Sequence, residues 1–368
     1  MNRAAAQKRI LLLGDARQVH LARWADYIAS IGYEVLTVSL EPNERVPDPK
    51  HRIRLPRFLP PFVRYPLAVP ATRRLIRDFA PHVVNAHFLP NYGVIAAMAG
   101  FSPWVLSAWG SDIMVLPQRS IFHMQRTRRV LRSAAFITSD AQVMSERLVE
   151  LGAAPERVLT FPYGVDRKLF RPAAESSGAQ GPRIISTRKL EAVYDIPTVL
   201  AAFQGLKHSL NTASLTVAGD GSLATPLCEQ AATSPYRESI RFTGDVPHGD
   251  MPALLRGHDI YVSMSVSDTT SVSLLEAMAC GLLPIVTDIP ANREWIESGR
   301  NGLLVPVGDA GALETAMAAA WQDAALRKSA ALANHAVVEE RADWSENMSV
   351  VGALFDRLAG SARNMDAA

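Results

Sequence analysis

Two acids eight positions apart, Asp268 and Glu276, flank the small hydroxyl run Thr269-Thr270-Ser271-Val272-Ser273, in a stretch that turns apolar and ends at Cys280-Gly281. Ser271 has the side chain of a helix N-cap, Val272 to Cys280 reads as a short apolar helix, and Gly281 is its C-terminal stop. A helix beginning there points unpaired backbone N–H groups and the positive end of its dipole outward, which favours phosphate. One acid stands in the loop before the helix and the other one turn inside it. That layout suits a phosphate at the tip, cradled by the amides of Thr270, Ser271, Val272 and Ser273. Sugar hydroxyls would then be accepted by the carboxylates on either side.

Such a helix must be presented by a sheet. Residues 10–13, Ile-Leu-Leu-Leu, form a short apolar run ending at Gly14-Asp15, as a buried parallel strand entering a loop does. A helix is expected over 19–30, stopped by Gly32, and then a strand over 34–39. Further strands fit 83–86, 104–107, 136–138 and 158–161, with helices at 70–79, 91–99, 121–133 and 140–151. The alternation restarts with a strand at 183–186, a helix at 196–208, and a strand at 214–218 before Gly219-Asp220-Gly221. Strands at 240–243, 260–262 and 284–286 follow, with helices at 250–255 and 272–280 between them. This pattern predicts parallel sheets with helices on both faces. The join is expected near Arg171 to Pro182, where Ala-Ala-Glu-Ser-Ser-Gly-Ala-Gln-Gly has linker composition.

A length of 368 residues suits two domains, and 48% hydrophobic with 20% charged residues indicates a globular chain with ample core. There is no run of about 18 uninterrupted apolar residues and no basic leader with a small-residue cleavage site, so a spanning or exported chain is not expected. The two cysteines, Cys228 and Cys280, lack metal-ligand spacing and suit a reduced, cytoplasmic setting. The net charge of +2 hides an asymmetry: residues 1–168 hold 23 Lys/Arg against 13 Asp/Glu, and the remaining 200 hold 15 against 23. Either this is ordinary surface solvation, or the first half faces an anionic partner such as a lipid-phosphate acceptor or a membrane surface.

The acidic stretch also resembles a known motif. In the retaining nucleotide-sugar glycosyltransferases of glycosyltransferase family 4, a Glu-x7-Glu motif precedes Ala-Met-Ala-x-Gly and a short strand. Glu276 matches the second acid, Ala277 to Gly281 the run behind it, and 283–287 the strand; Asp268 stands where the first Glu usually is. The resemblance implies an α/β chain of the GT-B fold, two Rossmann-like doubly wound domains facing across a cleft. Residues 1–170 would form the acceptor-side domain and 171–343 the nucleotide-sugar-binding domain. Residues 344–368 would carry a last helix, Trp344 to Leu358, packing back on the first domain.

Carried over residue by residue, the resemblance gives Arg188, in Thr187-Arg188-Lys189-Leu190, the task of gripping a diphosphate through its planar fork. A surface salt bridge is the competing reading. The family's second cation falls near Tyr194, and the adjacent Lys189 is its candidate replacement. Gly219-Asp220-Gly221 and Phe242-Thr243-Gly244 recur in the family pattern; Gly219 would lie at the bound nucleotide sugar and Val246 near the nucleotide base. Glu276 would accept hydrogen bonds from the ribose diol. Asp268 would meet hydroxyls of the donor sugar, with about 1.5 Å less reach than Glu. Gly14, in the first domain, would lie near the donor phosphates. Trp109-Gly110-Ser111-Asp112 resembles a family His-Gly-x-Asp segment, and His87 matches another family histidine. Either His87 or Asp112 would bind a donor hydroxyl or the acceptor. Pro162-Tyr163-Gly164-Val165-Asp166, with Phe170 and Pro172, resembles the inter-domain signature and is expected to be structural.

The expected reaction is metal-independent sugar transfer from a UDP- or GDP-sugar to a glycan, lipid-linked or secondary-metabolite acceptor, as in polysaccharide biosynthesis. No cofactor beyond the nucleotide sugar, no metal site and no nucleic acid are expected. The absence of Gly-x-Gly-x-x-Gly after the first strand counts against a nicotinamide enzyme. A sugar-nucleotide epimerase of the same fold, or an inactive nucleotide-sugar-binding protein, are the alternatives. The Pro- and Arg-rich tract Arg52 to Arg77, with Phe58, Phe62 and Tyr65, is a candidate acceptor or membrane-edge surface, or simply a loop and a helix.

Overall fold

In a computed structural model, residues 7–41, 53–56, 58–172 and 180–366 are described. Twelve strands among them form two six-stranded sheets, parallel throughout. The first contains β1 (Arg9–Leu13), β2 (Glu34–Val38), β3 (Val83–His87), β4 (Trp104–Ser107), β5 (Phe136–Ser139) and β6 (Val158–Thr160), in the order β2-β1-β3-β4-β5-β6. The second contains β7 (Arg183–Ser186), β8 (Ser214–Ala218), β9 (Ile240–Gly244), β10 (Ile260–Ser263), β11 (Leu283–Thr287) and β12 (Leu303–Val305), in the order β12-β11-β10-β7-β8-β9.

Continuous apolar strands are what a doubly covered sheet requires. Ile10 to Leu13 and Leu283, Ile285 and Val286 are buried, as expected where helices cover both faces. Helix Val19–Ser30 supplies Leu21, Trp24 and Ile28, spaced along one face, to the first core. Helix Ile196–Ser209 does the same for the second with Val199, Phe203 and Leu206. In each sheet the strand order reverses once, between β1 and β3 and between β7 and β10. Ligands of doubly wound sheets sit beyond the carboxyl ends of the strands at such a reversal. Gly14 and His87 stand at the first, and Arg188 and the segment leading to Asp268 at the second.

The chain divides into two compact units, Met1–Phe161 with Met348–Ala368, and Pro162–Asn347. The division thus precedes the linker-like stretch 171–182, of which residues 173–179 lie outside the described residues. The reason is local. Val165 and Phe170 are buried in the core of the second unit, and the Val165 N–H donates to the Ala342 carbonyl while the Trp344 N–H donates back to Val165. Helix Trp344–Asp366 extends beyond the expected Leu358. Its Met348, Val351, Leu354 and Phe355 are buried, and Asp356 accepts from Lys8 Nζ and the Tyr33 hydroxyl of the first unit, both at 2.5 Å.

Sequence patterning found neither β12 nor the helices Ala224–Ala232, Ala310–Gln322 and Ala324–Arg341. β12 has three residues, too few to show a period, and the two later helices are Ala-rich with weak apolar contrast. The expected helix 91–99 opens instead as a wide π-type turn, Leu89–Gly93, before Val94–Ala99. Of the tract Arg52 to Arg77, Arg52 and Arg57 lie outside the described residues, and its last part belongs to helix Val69–Phe79. Among the described residues no helix is long and apolar enough to cross a membrane.

Gly164 has a φ of 74°, and a Cβ there would lie 2.8 Å from the carbonyl carbon of Ala342. Gly164→Ala is expected to cost about 1–3 kcal/mol, read as a lower midpoint in thermal unfolding. An unchanged midpoint would show that this crossing of backbones tolerates a side chain.

Candidate active site

Arg188 follows the end of β7 by two residues and is nearly buried, with a relative exposure of 7%. Its Nη2 donates to Asp268 Oδ2 at 2.6 Å; its Nη1 donates to Ser273 Oγ at 2.9 Å and to Ser271 Oγ. The ring of Tyr194 lies under the guanidinium, 4.1 Å from centroid to Cζ. Burial by itself works against this charge. Asp268, with smaller contributions from Tyr261 and Tyr194, outweighs it and holds the guanidinium above the ordinary arginine range. Nε is buried with no hydrogen-bond partner among the described residues.

The groups around Arg188 belong to the loop after β10 and the helix that follows it. Ser271 caps helix Val272–Ala279 by accepting the Leu274 N–H at 3.2 Å, and Ser273 shares a 3.0 Å hydrogen bond with the Tyr261 hydroxyl. The helix is held rigidly, with Leu274 through Ala279 all buried. A fixed cation and the positive end of a helix are therefore brought together. Asp268 Oδ1 accepts the Thr269 N–H at 3.0 Å, so both of its oxygens have partners here. Thr270 is buried beside them. Glu276, one turn inside the helix, is 7% exposed and its Oε1 lies 3.6 Å from His248 Nδ1. His248 packs on Phe170 with ring centroids 5.2 Å apart. Val246 is half-buried in the same loop.

Gly219 was expected at the ligand. Its φ is 148°, and a Cβ would lie 2.6 Å from the Arg188 carbonyl oxygen. A Cβ at Gly221 would lie 2.5 Å from the Leu190 carbonyl oxygen, while Leu190 N–H donates to Asp220 O at 3.1 Å. The Gly219-Asp220-Gly221 turn thus presses against the Arg188–Leu190 backbone and fixes the loop carrying Arg188. Lys189 is exposed, and it does not join the buried cluster. Tyr194, at the place of the expected second cation, supplies an aromatic face to Arg188 instead. Sequence reasoning missed His248, Tyr261 and the stacking role of Tyr194. A lone histidine in a turn and a tyrosine inside a strand carry no motif signal.

The expected residues of the first unit form a separate constellation. His87 ends β3, is 1% exposed, and accepts the Trp109 indole N–H on Nδ1 at 3.2 Å. That bond leaves the proton of the neutral ring on Nε2, which has no hydrogen-bond partner among the described residues. Trp24 meets the ring edge to face at 4.8 Å. Asp112 is fully buried, and its two oxygens accept the backbone N–H groups of Leu89 and Trp109, each at 3.0 Å. The expected hydroxyl-binding role does not suit a carboxylate enclosed in this way; it clasps the turns after β3 and β4 and so positions His87 and Trp109. A Cβ on Gly14 would meet the Leu21 side chain at 2.7 Å, so this glycine lets helix Val19–Ser30 approach β1.

Burial, with a smaller repulsion from His20, pushes His87 down to about 3. Between its ordinary 6.5 and about 3, the unfolded chain binds a proton that the folded chain does not, so stability falls as pH falls through that window. Asp112 is raised to about 6 by burial, against its backbone hydrogen bonds. Its contribution has the opposite sign, present below 3.8 and lost as pH rises through about 6. His87→Gln should therefore flatten the acid decline of the urea midpoint, whereas Asp112→Asn should steepen it. A His87→Gln chain as acid-sensitive as the parent would refute a neutral buried imidazole.

Comparisons with known proteins bear on the family and the fold. The profile described as glycosyl transferases group 1 matches residues 171–337, and that described as glycosyl transferase 4-like matches residues 9–141. The chain is 26% identical over 279 residues to the phosphatidyl-myo-inositol mannosyltransferase of Mycobacterium leprae, covering 72% of this chain and 73% of that one. Its fold is similar to that of a sucrose-phosphate synthase from Thermosynechococcus elongatus, with a TM-score of 0.83 and 18% identity over 96% of this chain and 100% of that one. It is also similar to Anabaena HepE in complex with UDP-glucose, with a TM-score of 0.77 and 18% identity over 94% and 99%. Two matched profiles, two Rossmann-like units and the Asp268–Gly281 segment lead to one assignment: the chain belongs to the group 1, family-4-type glycosyltransferases and is an α/β enzyme of the GT-B fold.

Proposed function

We propose that the chain transfers a sugar, with retention of anomeric configuration, from a UDP- or GDP-sugar to a glycan, lipid-linked or secondary-metabolite acceptor. The observation that carries this reading is the fork of Arg188, held by Asp268, Ser271 and Ser273 at the amino end of helix Val272–Ala279. A protein of similar fold binds UDP-glucose, which supports a nucleotide-sugar donor, and a relative is a phosphatidyl-myo-inositol mannosyltransferase, which supports glycosyl transfer.

In the proposed reaction the bond between the anomeric carbon and the β-phosphate oxygen breaks while a bond to the acceptor oxygen forms on the same face. The acceptor's proton passes to the leaving phosphate, and the products are a glycoside and a nucleoside diphosphate. Charge builds on the leaving phosphate, so stabilising it is the largest task. Arg188 and the amides of Ser271, Val272 and Ser273 supply that stabilisation without a metal. Asp268 keeps the guanidinium charged and aimed, and Glu276 accepts the ribose hydroxyls, with charge-assisted hydrogen bonds suited to a vicinal diol. His87 offers a neutral N–H donor to a hydroxyl of donor or acceptor. The distant free cysteines suit the reducing, cytoplasmic setting proposed for the enzyme.

Arg188→Ala is expected to lower kcat by about 100-fold or more, with acceptor binding little changed; near-normal turnover would remove Arg188 from the mechanism. In thermal-shift measurements, UDP or GDP at about 100 times its dissociation constant should add about 2.7 kcal/mol of stability, with or without EDTA. Loss of that shift or of activity in EDTA, with rescue by magnesium, would overturn the metal-independent reading.

A further inference from the structure

Glu276 is the acid set against the ribose in the transfer chemistry above, and what orients its carboxylate lies outside the motif that carries it. The residue is 7% exposed, on a helix of the second unit whose Leu274, Leu275, Ala277, Met278 and Ala279 are all buried. That helix is fixed, but the last torsion of a glutamate side chain is broad and roughly two-fold. A rigid helix alone therefore does not set the plane of the two oxygens. A vicinal diol meets both oxygens only in one plane, so a directed partner decides whether the acid reads the diol. His248 is placed to be that partner, with Nδ1 3.6 Å from Glu276 Oε1. Polar contacts at binding sites commonly start this long and tighten with the ligand in place. An imidazole with its proton on Nδ1, neutral or charged, donates to such an oxygen.

The histidine belongs to a different element, the turn between β9 and helix Met251–Arg256. The Pro247 carbonyl accepts the N–H groups of Asp250 at 2.9 Å and Met251 at 3.2 Å, which closes the turn around His248. The helix that follows anchors it. Leu255 is buried, and Met251 and Leu254 pack against the cluster that holds Phe170, Leu274, Leu275 and Met278. At the other end Gly244 has a φ of 69°, and its carbonyl accepts the Gly219 N–H at 2.9 Å. The turn is thereby tied to the glycine turn that presses on the Arg188 loop. The half-buried imidazole packs on Phe170, with ring centroids 5.2 Å apart and planes tilted by 49°. Phe170 is itself 2% exposed, a fixed wall for the ring. His248 is thus placed by its turn and by Phe170, independently of the carboxylate, as a group that orients another must be.

We propose that His248 is a positioning residue for the donor's ribose: through its Nδ1–H it fixes the plane of the Glu276 carboxylate, and so makes the site select ribonucleoside diphosphates over their 2′-deoxy counterparts. This role rests on the reading of Glu276 as the acceptor of the ribose hydroxyls. With the plane fixed, both hydroxyls of the diol donate to the acid at once. A sugar without the 2′-hydroxyl then forfeits a charge-assisted hydrogen bond and leaves a buried oxygen unmet. With the plane free, the acid turns to whichever hydroxyl remains, and the distinction fades. A residue outside the acidic motif thereby excludes donors built on a deoxyribonucleotide.

Calorimetry measures the dissociation constants of UDP and dUDP, and of GDP and dGDP, for the parent chain and for His248→Phe, His248→Asn and Glu276→Gln. Circular dichroism reports whether each variant folds. Phenylalanine keeps a ring on Phe170 and removes the N–H, whereas asparagine returns an N–H near the place of Nδ1. The parent should bind its preferred ribonucleotide about tenfold or more tighter than the deoxy form, the worth of one hydrogen bond to a charged group. His248→Phe should bring that ratio to about threefold or less, as an undirected hydrogen bond does, by weakening the ribonucleotide and leaving the deoxynucleotide little changed. His248→Asn should restore most of the preference, and Glu276→Gln should remove it. Should the phenylalanine variant not fold, His248→Leu, with neither ring nor N–H, takes its place. A folded His248→Phe chain that keeps the parent's ratio, while Glu276→Gln loses it, overturns the role of His248 alone. Equal weakening of both nucleotides in His248→Phe marks a merely structural residue and also overturns it. A parent that binds ribo- and deoxynucleotides alike overturns the selection itself. A ratio that Glu276→Gln leaves intact, or a parent that binds none of the four nucleotides, overturns the donor-site reading, and the role of His248 falls with it.

Discussion

A buried guanidinium tolerates few surroundings. Arg188 is nearly enclosed, and its charge persists there only because a carboxylate, two hydroxyls and an aromatic face meet it together. Those partners come from two places: the segment after β10 and the turn Ala192–Tyr194. They converge because the second sheet places β7 beside β10, with Ile184 in parallel register with Ile260, although the two strands are far apart along the chain. Removing one partner strands the charge, which costs more than the lost contact alone. The glycines of the β8 turn serve the same end by letting backbone lie directly against the Arg188 loop.

The first unit solves a different problem. Its reversal point holds a neutral imidazole, walled by Trp24 and Trp109 and kept neutral by burial. Asp112 supports it from the backbone, its carboxylate enclosed by the turns that it joins. Its Nε2–H is a buried donor without a hydrogen-bond partner among the described residues. Arginines stand instead near the ends of β1 and β2, where Arg17 pairs with Asp15 and Arg64 lies 3.6 Å from Glu41. Charged and neutral groups are thus kept apart within one sheet.

Three positions where this chain differs from the family pattern each engage a named polar residue of their own unit. Asp268, shorter than the usual Glu, is paired directly with Arg188. Tyr194 replaces a cation and stacks on that same guanidinium. Trp109 replaces a histidine and donates to His87. Each substitution is met by a partner within its own unit.

The grouping of Arg188 with Asp268 and Glu276 came through the family resemblance, whereas the alternation of strands and helices and the hydroxyl-rich N-cap at Ser271 were legible along the chain. Those features are local or depend on hydrophobic period, so they are written in consecutive residues. Helix Val19–Ser30 and strands β4, β7 and β8 have the limits that the pattern predicts, because each is bounded by a turn residue or a change of period. What each polar group faces was settled by packing in three dimensions. Asp112 and Gly219 read as ligand-binding but serve the backbone, whereas Tyr194, Tyr261 and His248 carried no signal yet join the residues around Arg188 and Glu276. Arg188 and Ser271 lie 83 positions apart in the sequence and meet in one hydrogen bond. Such meetings depend on strand order and on the burial of particular atoms, and neither is encoded in a spacing along the chain.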